Sequence, residues 1–150
     1  MMTLSRPQRP FPPSPVGSLL KRASVSPPQP REKPIGDADY LSLVRECPCL
    51  SCGLDPCGEA AHVRFSSAAF GKASGLGKKP DDKWALPCCG WDHRILKTAQ
   101  HNRNEEEFWA SLGINPLATC VALYAQRGDL VAMRAVIFLT ISKRGTPQCL

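Results

Sequence analysis

Two short cysteine signals, CLSC at residues 49–52 and CCGWDH at residues 88–93, constrain this chain more than any other feature. Cys49 and Cys52 sit on one turn, where two thiolates can share a single ion at about 2.3 Å from each sulfur. A second half-site is required, and Cys89 with either Asp92 or His93 supplies it 37 residues after Cys52. An ion held between the two would staple distant parts of a chain of 150 residues, which is short enough for a staple to matter. Cys47, Cys57 and Cys88 lie near enough to serve as alternate ligands, whereas Cys120 and Cys149 read as plain thiols without a metal. A redox role for the CLSC turn is disfavoured because Gly53 and Asp55-Pro56 prevent the helix that such a motif opens.

The prolines divide the chain. Nine of the 15 fall in the first 34 residues, with six of the 19 lysines and arginines up to residue 36. That composition predicts a disordered, partly polyproline II tail over 1–36. Five of the six net positive charges leave with it, so the remainder is nearly neutral and basicity says little about the folded part. A mobile cationic arm would still favour a polyanion. No apolar run approaches the roughly 20 residues that span a bilayer, and the first residues lack the apolar stretch of a secretory signal. The expectation is a cytoplasmic protein with no membrane partner, whose eight cysteines serve metal or burial rather than disulfides.

From residue 37 the pattern turns globular. A short helix is expected over 37–46, capped by Asp37 or Asp39, followed by a tight knuckle over 47–58. AAHVRF reads as a strand with His62 and Arg64 on one face, and KWALPCC as a second strand. The residues between them, 66–82, lack periodicity and read as a long functional loop. Asp92 would open a helix carrying His93 and His101, eight residues apart, so that both face one way if the helix is regular. Three further helices are expected: Glu105 to Leu112, closed by Gly113; one beginning at Pro116; and one capped by Asp129. Phe108, Trp109, Leu112, Leu117, Leu123, Tyr124, Val136, Ile137 and Phe138 read as packing surface. The run VAMRAVIFLTI suits packing on the central unit, a homodimer or a protein partner. The fold class is α+β, with a tail at 1–36, a metal-stapled unit at 37–112, a helical extension at 113–144 and a final tail at 145–150.

The pieces PCLSCG, EAAHVRF, KKPDDKWALPCC and DHRILKTAQHN, followed by FW and GINPL, resemble the HNH family of ββα-metal nucleases. Within it they are most similar to the bacterial and phage branch that includes the phage recombination enhancement function nuclease. The resemblance implies a metal-dependent endonuclease acting on DNA, with a structural zinc and a second, catalytic divalent ion such as magnesium, manganese or zinc. His62 then matches the general base, His93 a ligand of the catalytic ion and His101 a second ligand. Arg64, Lys72, Lys78 and Lys79 would hold neighbouring phosphates. The family's usual order favours Asp92 over His93 as the fourth zinc ligand. Two positions depart from the pattern: Ala61 stands where many members carry a metal-binding Asp or His, and the middle Asn is missing, with Asp82 the nearest polar substitute. A module of the same fold that binds nucleic acid without cutting it is the competing expectation.

Overall fold

The computed structural model describes residues 35–73 and 78–144. The Pro-rich segment 1–34, residues 74–77 and the final tail at 145–150 with Cys149 lie outside the described residues, so the expectations placed on them have no structural counterpart here. Among the described residues the chain is α+β: four α-helices around a two-stranded antiparallel sheet.

Helix α1, Ala38–Arg45, starts at Asp37, whose Oδ1 accepts the Tyr40 backbone N–H at 3.0 Å. The same device opens the other three. Asn104 caps α2, Glu105–Ser111; Asn115 caps α3, Pro116–Ala125; and Asp129 caps α4, Leu130–Lys143, each accepting an N–H three residues on. A short Asx side chain satisfies an N–H that the first turn leaves without a partner. The three glutamates of the α2 first turn suit the positive end of its dipole, and Gly113 ends it in the left-handed region with φ 66°.

Strand β1, Ala60–His62, pairs antiparallel with β2, Ala85–Pro87, in the register Ala61 opposite Leu86. Both strands are shorter than expected. Val63 still donates to the Trp84 carbonyl at 2.8 Å, but the next N–H, that of Arg64, turns to the Glu105 carboxylate. A carboxylate is the stronger acceptor, so the ladder ends there.

The sheet and all four helices share one cluster of buried residues, including Tyr40, Val44, Leu50, Val63, Leu86, Trp109, Leu123, Met133 and Ile137. Residues 113–144 therefore complete one core together with residues 37–112. Two arginines of the C-terminal segment reinforce this: Arg134 pairs with Asp55 and donates to the Glu46 carbonyl, while Arg144 donates to the carbonyls of Leu50 and Ser51. Phe138, expected in the packing surface, is instead 52% exposed, beside Leu139 on the outer side of α4. The stripe facing the core at Met133 and Ile137 is narrow, and Phe138 falls one residue past it. No single helix among the described residues is long and apolar enough to cross a membrane.

Candidate metal centre and histidine cleft

The knuckle before β1 is a compact loop. Cys49 donates its N–H to the Leu54 carbonyl at 2.8 Å, and Gly53 returns to the Cys49 carbonyl at 2.9 Å with φ 79°, a left-handed conformation that glycine tolerates. Leu50 bonds to Pro87 at the end of β2, which sets the knuckle against the residues that follow that strand. There the backbone makes a single wide turn, Trp91–Ile95, of π type.

These two segments bring Cys49, Cys52, Cys89 and Asp92 together, with all four donor atoms within 4.8 Å of one another. The sulfurs of Cys52 and Cys89 lie 3.6 Å apart, and Asp92 Oδ2 lies 3.4 Å from Cys89 Sγ and 4.0 Å from Cys49 Sγ. Four ligands arranged tetrahedrally at zinc-like bond lengths would stand about 3.8 Å apart for two sulfurs and about 3.6 Å for a sulfur and an oxygen. The observed spacings fit one ion of that size. Charge is already placed to receive it. The Cys49 thiol is pulled down to about 5, by the Cys88 thiol and then, against burial, by the backbone N–H groups of Cys52, Cys89 and Ser51. Cys52 is pushed up to about 12 by burial, and Cys89 is also raised, chiefly by burial. One thiolate thus stands among two thiols.

The remaining described cysteines stay outside the cluster. Cys57 donates to the carbonyls of Val44 and Glu59, at 3.4 and 3.1 Å. Burial pushes both Cys47 and Cys57 up to about 11. Cys120 is buried in α3 and likewise raised by burial.

Beside the cluster lies a cleft of about 530 Å³, lined by Ala60, His62, Arg64, Lys78, Lys79, Pro80, His93 and His101. It gathers all three histidines of the chain and three of the four cations expected with them. The helix predicted from Asp92 to His101 is not what unites His93 and His101. After Ile95 the backbone extends at Leu96, with ψ 151°, and the Asn102 amide captures the carbonyls of Arg94 and Leu96 at 2.9 and 2.7 Å. A side chain competing for backbone acceptors ends the helical run. A short 3₁₀ turn, Gln100–Asn102, then returns His101, whose ring meets that of His93 edge to face with centroids 4.3 Å apart.

Each histidine has a defined partner. His93 Nδ1 lies 2.8 Å from Glu59 Oε2, which leaves Nε2 as its open nitrogen. Glu59 also pairs with Arg94, and Arg94 first, then His93, hold its carboxyl down at about 2. His101 Nε2 meets the Arg64 guanidinium; burial, then His93 and Arg64, push His101 down to about 4, so its ring is neutral at pH 7. His62 Nε2 lies 2.9 Å from Asp82 Oδ1, and its carbonyl accepts from Gln100 Nε2 at 3.2 Å.

Lys72 does not belong to the cleft. It is 4% exposed, and its ammonium donates to the carbonyls of Phe65 at 2.7 Å and Arg64 at 3.3 Å, bracing the backbone just past β1 from which Arg64 projects. A lysine beside glycine and serine reads as a solvated loop charge, and only the chain reversal that pairs Ser67 with Lys72 turns it inward. Glu59, Gln100 and Glu105 are the members that sequence reasoning missed. Their partners lie 34 to 41 residues away, so no local spacing marks them.

No family model, curated protein or solved structure matches this chain. The functional reading therefore rests on the residues themselves.

Proposed function

We propose that the chain is a metal-dependent endonuclease of the ββα-metal (HNH) type that hydrolyses DNA phosphodiester bonds with little sequence preference of its own. The observation that carries this reading is the convergence of His62, His93, His101, Arg64, Lys78 and Lys79 on one cleft beside a Cys3Asp cluster. Thiolate-rich tetrahedral donors favour zinc at the cluster. In the cleft, His93 and His101 offer imidazole nitrogens to a divalent ion, and Glu59 orients His93 as a carboxylate commonly orients a metal-binding histidine. A divalent ion there would stabilise charge on the scissile phosphate and the departing oxygen.

The chain's own groups supply the rest. Arg64, Lys78 and Lys79 set phosphates in the cleft by charge, without reading bases. His62 takes a proton from water, whose oxygen attacks phosphorus while the bond to the leaving oxygen breaks. A neutral imidazole suits that work near neutral pH.

A second reading, a zinc-stabilised module that binds nucleic acid without cleavage, is favoured by two observations. Ala61, fully buried beside the base, offers no ligand, and Arg64 occupies the Nε2 of His101. Incubating the full chain with supercoiled plasmid and magnesium, manganese or zinc, alongside His62→Ala, separates the readings. A nuclease nicks the plasmid, and the variant loses nicking while still shifting DNA on a gel; a pure binder shows no metal-dependent nicking to lose.

A further inference from the structure

Asp82 is a buried charge in contact with a histidine that faces a solvent-filled cleft. Its side chain is 5% exposed, and it has three partners from three parts of the chain. Oδ2 accepts the Asp37 backbone N–H at 2.8 Å, while Oδ1 serves both His62 Nε2 at 2.9 Å and the Lys79 ammonium at 3.2 Å. Burial pushes the Asp82 carboxyl up, but the Asp37 N–H, His62 and Lys79 outweigh it and hold the group below the usual carboxylate range.

A carboxylate can only accept. The His62 nitrogen facing it must therefore carry the proton, and the neutral ring keeps its lone pair on Nδ1. The tie to the Asp37 N–H fixes Asp82 against the start of α1, and Gln100 fixes the His62 backbone, so the ring is held from both ends.

We propose that Asp82 is a positioning residue: its carboxylate locks His62 in the Nε2–H form and orientation, so that Nδ1 is the nitrogen that accepts a proton in the cleft. The kinetic half of this proposal rests on the hydrolytic reading above, while the structural half does not. Lys79, 61% exposed and sharing the same oxygen, ties the pair to the cleft rim, where a substrate phosphate would compete for it.

The test uses the full chain loaded with zinc and two variants, Asp82→Asn, which keeps the shape and a partner for the Asp37 N–H, and Asp82→Ala. The first readout is the low-field proton resonance of an imidazole N–H bonded to a carboxylate, assigned by its loss in His62→Gln. It is expected in the wild type and absent or shifted well upfield in Asp82→Asn. The second is plasmid nicking, in which Asp82→Asn should lower kcat about 10²- to 10⁴-fold, the span of general-base catalysis, with KM held within about threefold. A low-field resonance that is missing from the wild type or unchanged in both Asp82 variants overturns the proposal. So does an Asp82→Asn enzyme with wild-type kcat. If the wild type does not nick DNA, the nuclease reading fails and the resonance alone decides whether Asp82 holds His62.

Discussion

Loading the Cys49, Cys52, Cys89 and Asp92 cluster with zinc should release two protons per ion at pH 7. The number follows from the thiols. Cys49, held at about 5, is already a thiolate, whereas Cys52 at about 12 and Cys89, also raised, each surrender a proton when they ligate. Each released proton makes affinity rise about tenfold per pH unit, so two make it rise about a hundredfold between pH 6.5 and 7.5. The sign is fixed: acid weakens binding, because protons and the ion compete for the same sulfurs. Titration calorimetry of the reduced, metal-free chain in two buffers of different ionisation enthalpy reads the proton count. Competition with a chromophoric chelator reads the slope. Cys52→Ser should bind more weakly and release one proton. Release near zero, a stoichiometry other than one ion per chain, or a Cys52→Ser variant with unchanged affinity would refute the assignment of these side chains to one ion.

The other predictions concern the supports of the cleft. Glu59→Gln leaves His93 with a neutral partner and Arg94 without its ion pair, and should cut metal-dependent nicking about 10- to 100-fold, read from initial rates at saturating metal. Glu59 is also depressed in the folded state, so its contribution to stability is complete above about pH 4.5 and fades as pH falls toward 2; thermal melts should show a shallower acid decline in Glu59→Gln than in the wild type. Tyr40→Phe deletes a buried hydroxyl that donates to the Ala85 carbonyl at 3.1 Å, and should lower stability by about 1 kcal/mol in urea titrations at fixed metal concentration.

What could be read from the sequence was whatever depends on near neighbours. Asp37 and Asp129 as caps, Pro116 in a first turn and Gly113 as a stop each act within four residues, and the structure uses them that way. The grouping of Cys49 and Cys52 with Cys89 and either Asp92 or His93 was also accessible, because a metal site needs close pairs and the pairs are visible as spacings; the preference for Asp92 came from the family resemblance, and the structure places Asp92 in the cluster. The break after Ile95 was not, since it depends on an asparagine seven residues later folding back onto two carbonyls. Lys72 was misread for a similar reason: its burial is decided by the reversal between Ser67 and Lys72, which no periodicity announces. Glu59, next to β1, gains meaning only when the register of β1 with β2 carries it to the turn that bears His93.

That turn is where the two halves of the site meet. Asp92 and His93 are consecutive, yet the first points into the sulfur cluster and the second into the cleft. Cys89 lies just before the same turn and accepts the His93 N–H on its carbonyl at 2.8 Å, so an ion gripping Cys89 and Asp92 would fix the backbone that leads into His93. From the other direction, Arg144 holds the carbonyls of Leu50 and Ser51 in the knuckle that supplies the other two sulfurs. The core alone cannot set the angle of His93, because the turn that carries it buries none of its five residues. An ion at the cluster would therefore do more than add stability: it would restrain the backbone leading into His93 while Glu59 holds the ring, and the proposed hydrolytic reading would draw the direction of His93 in the cleft from both.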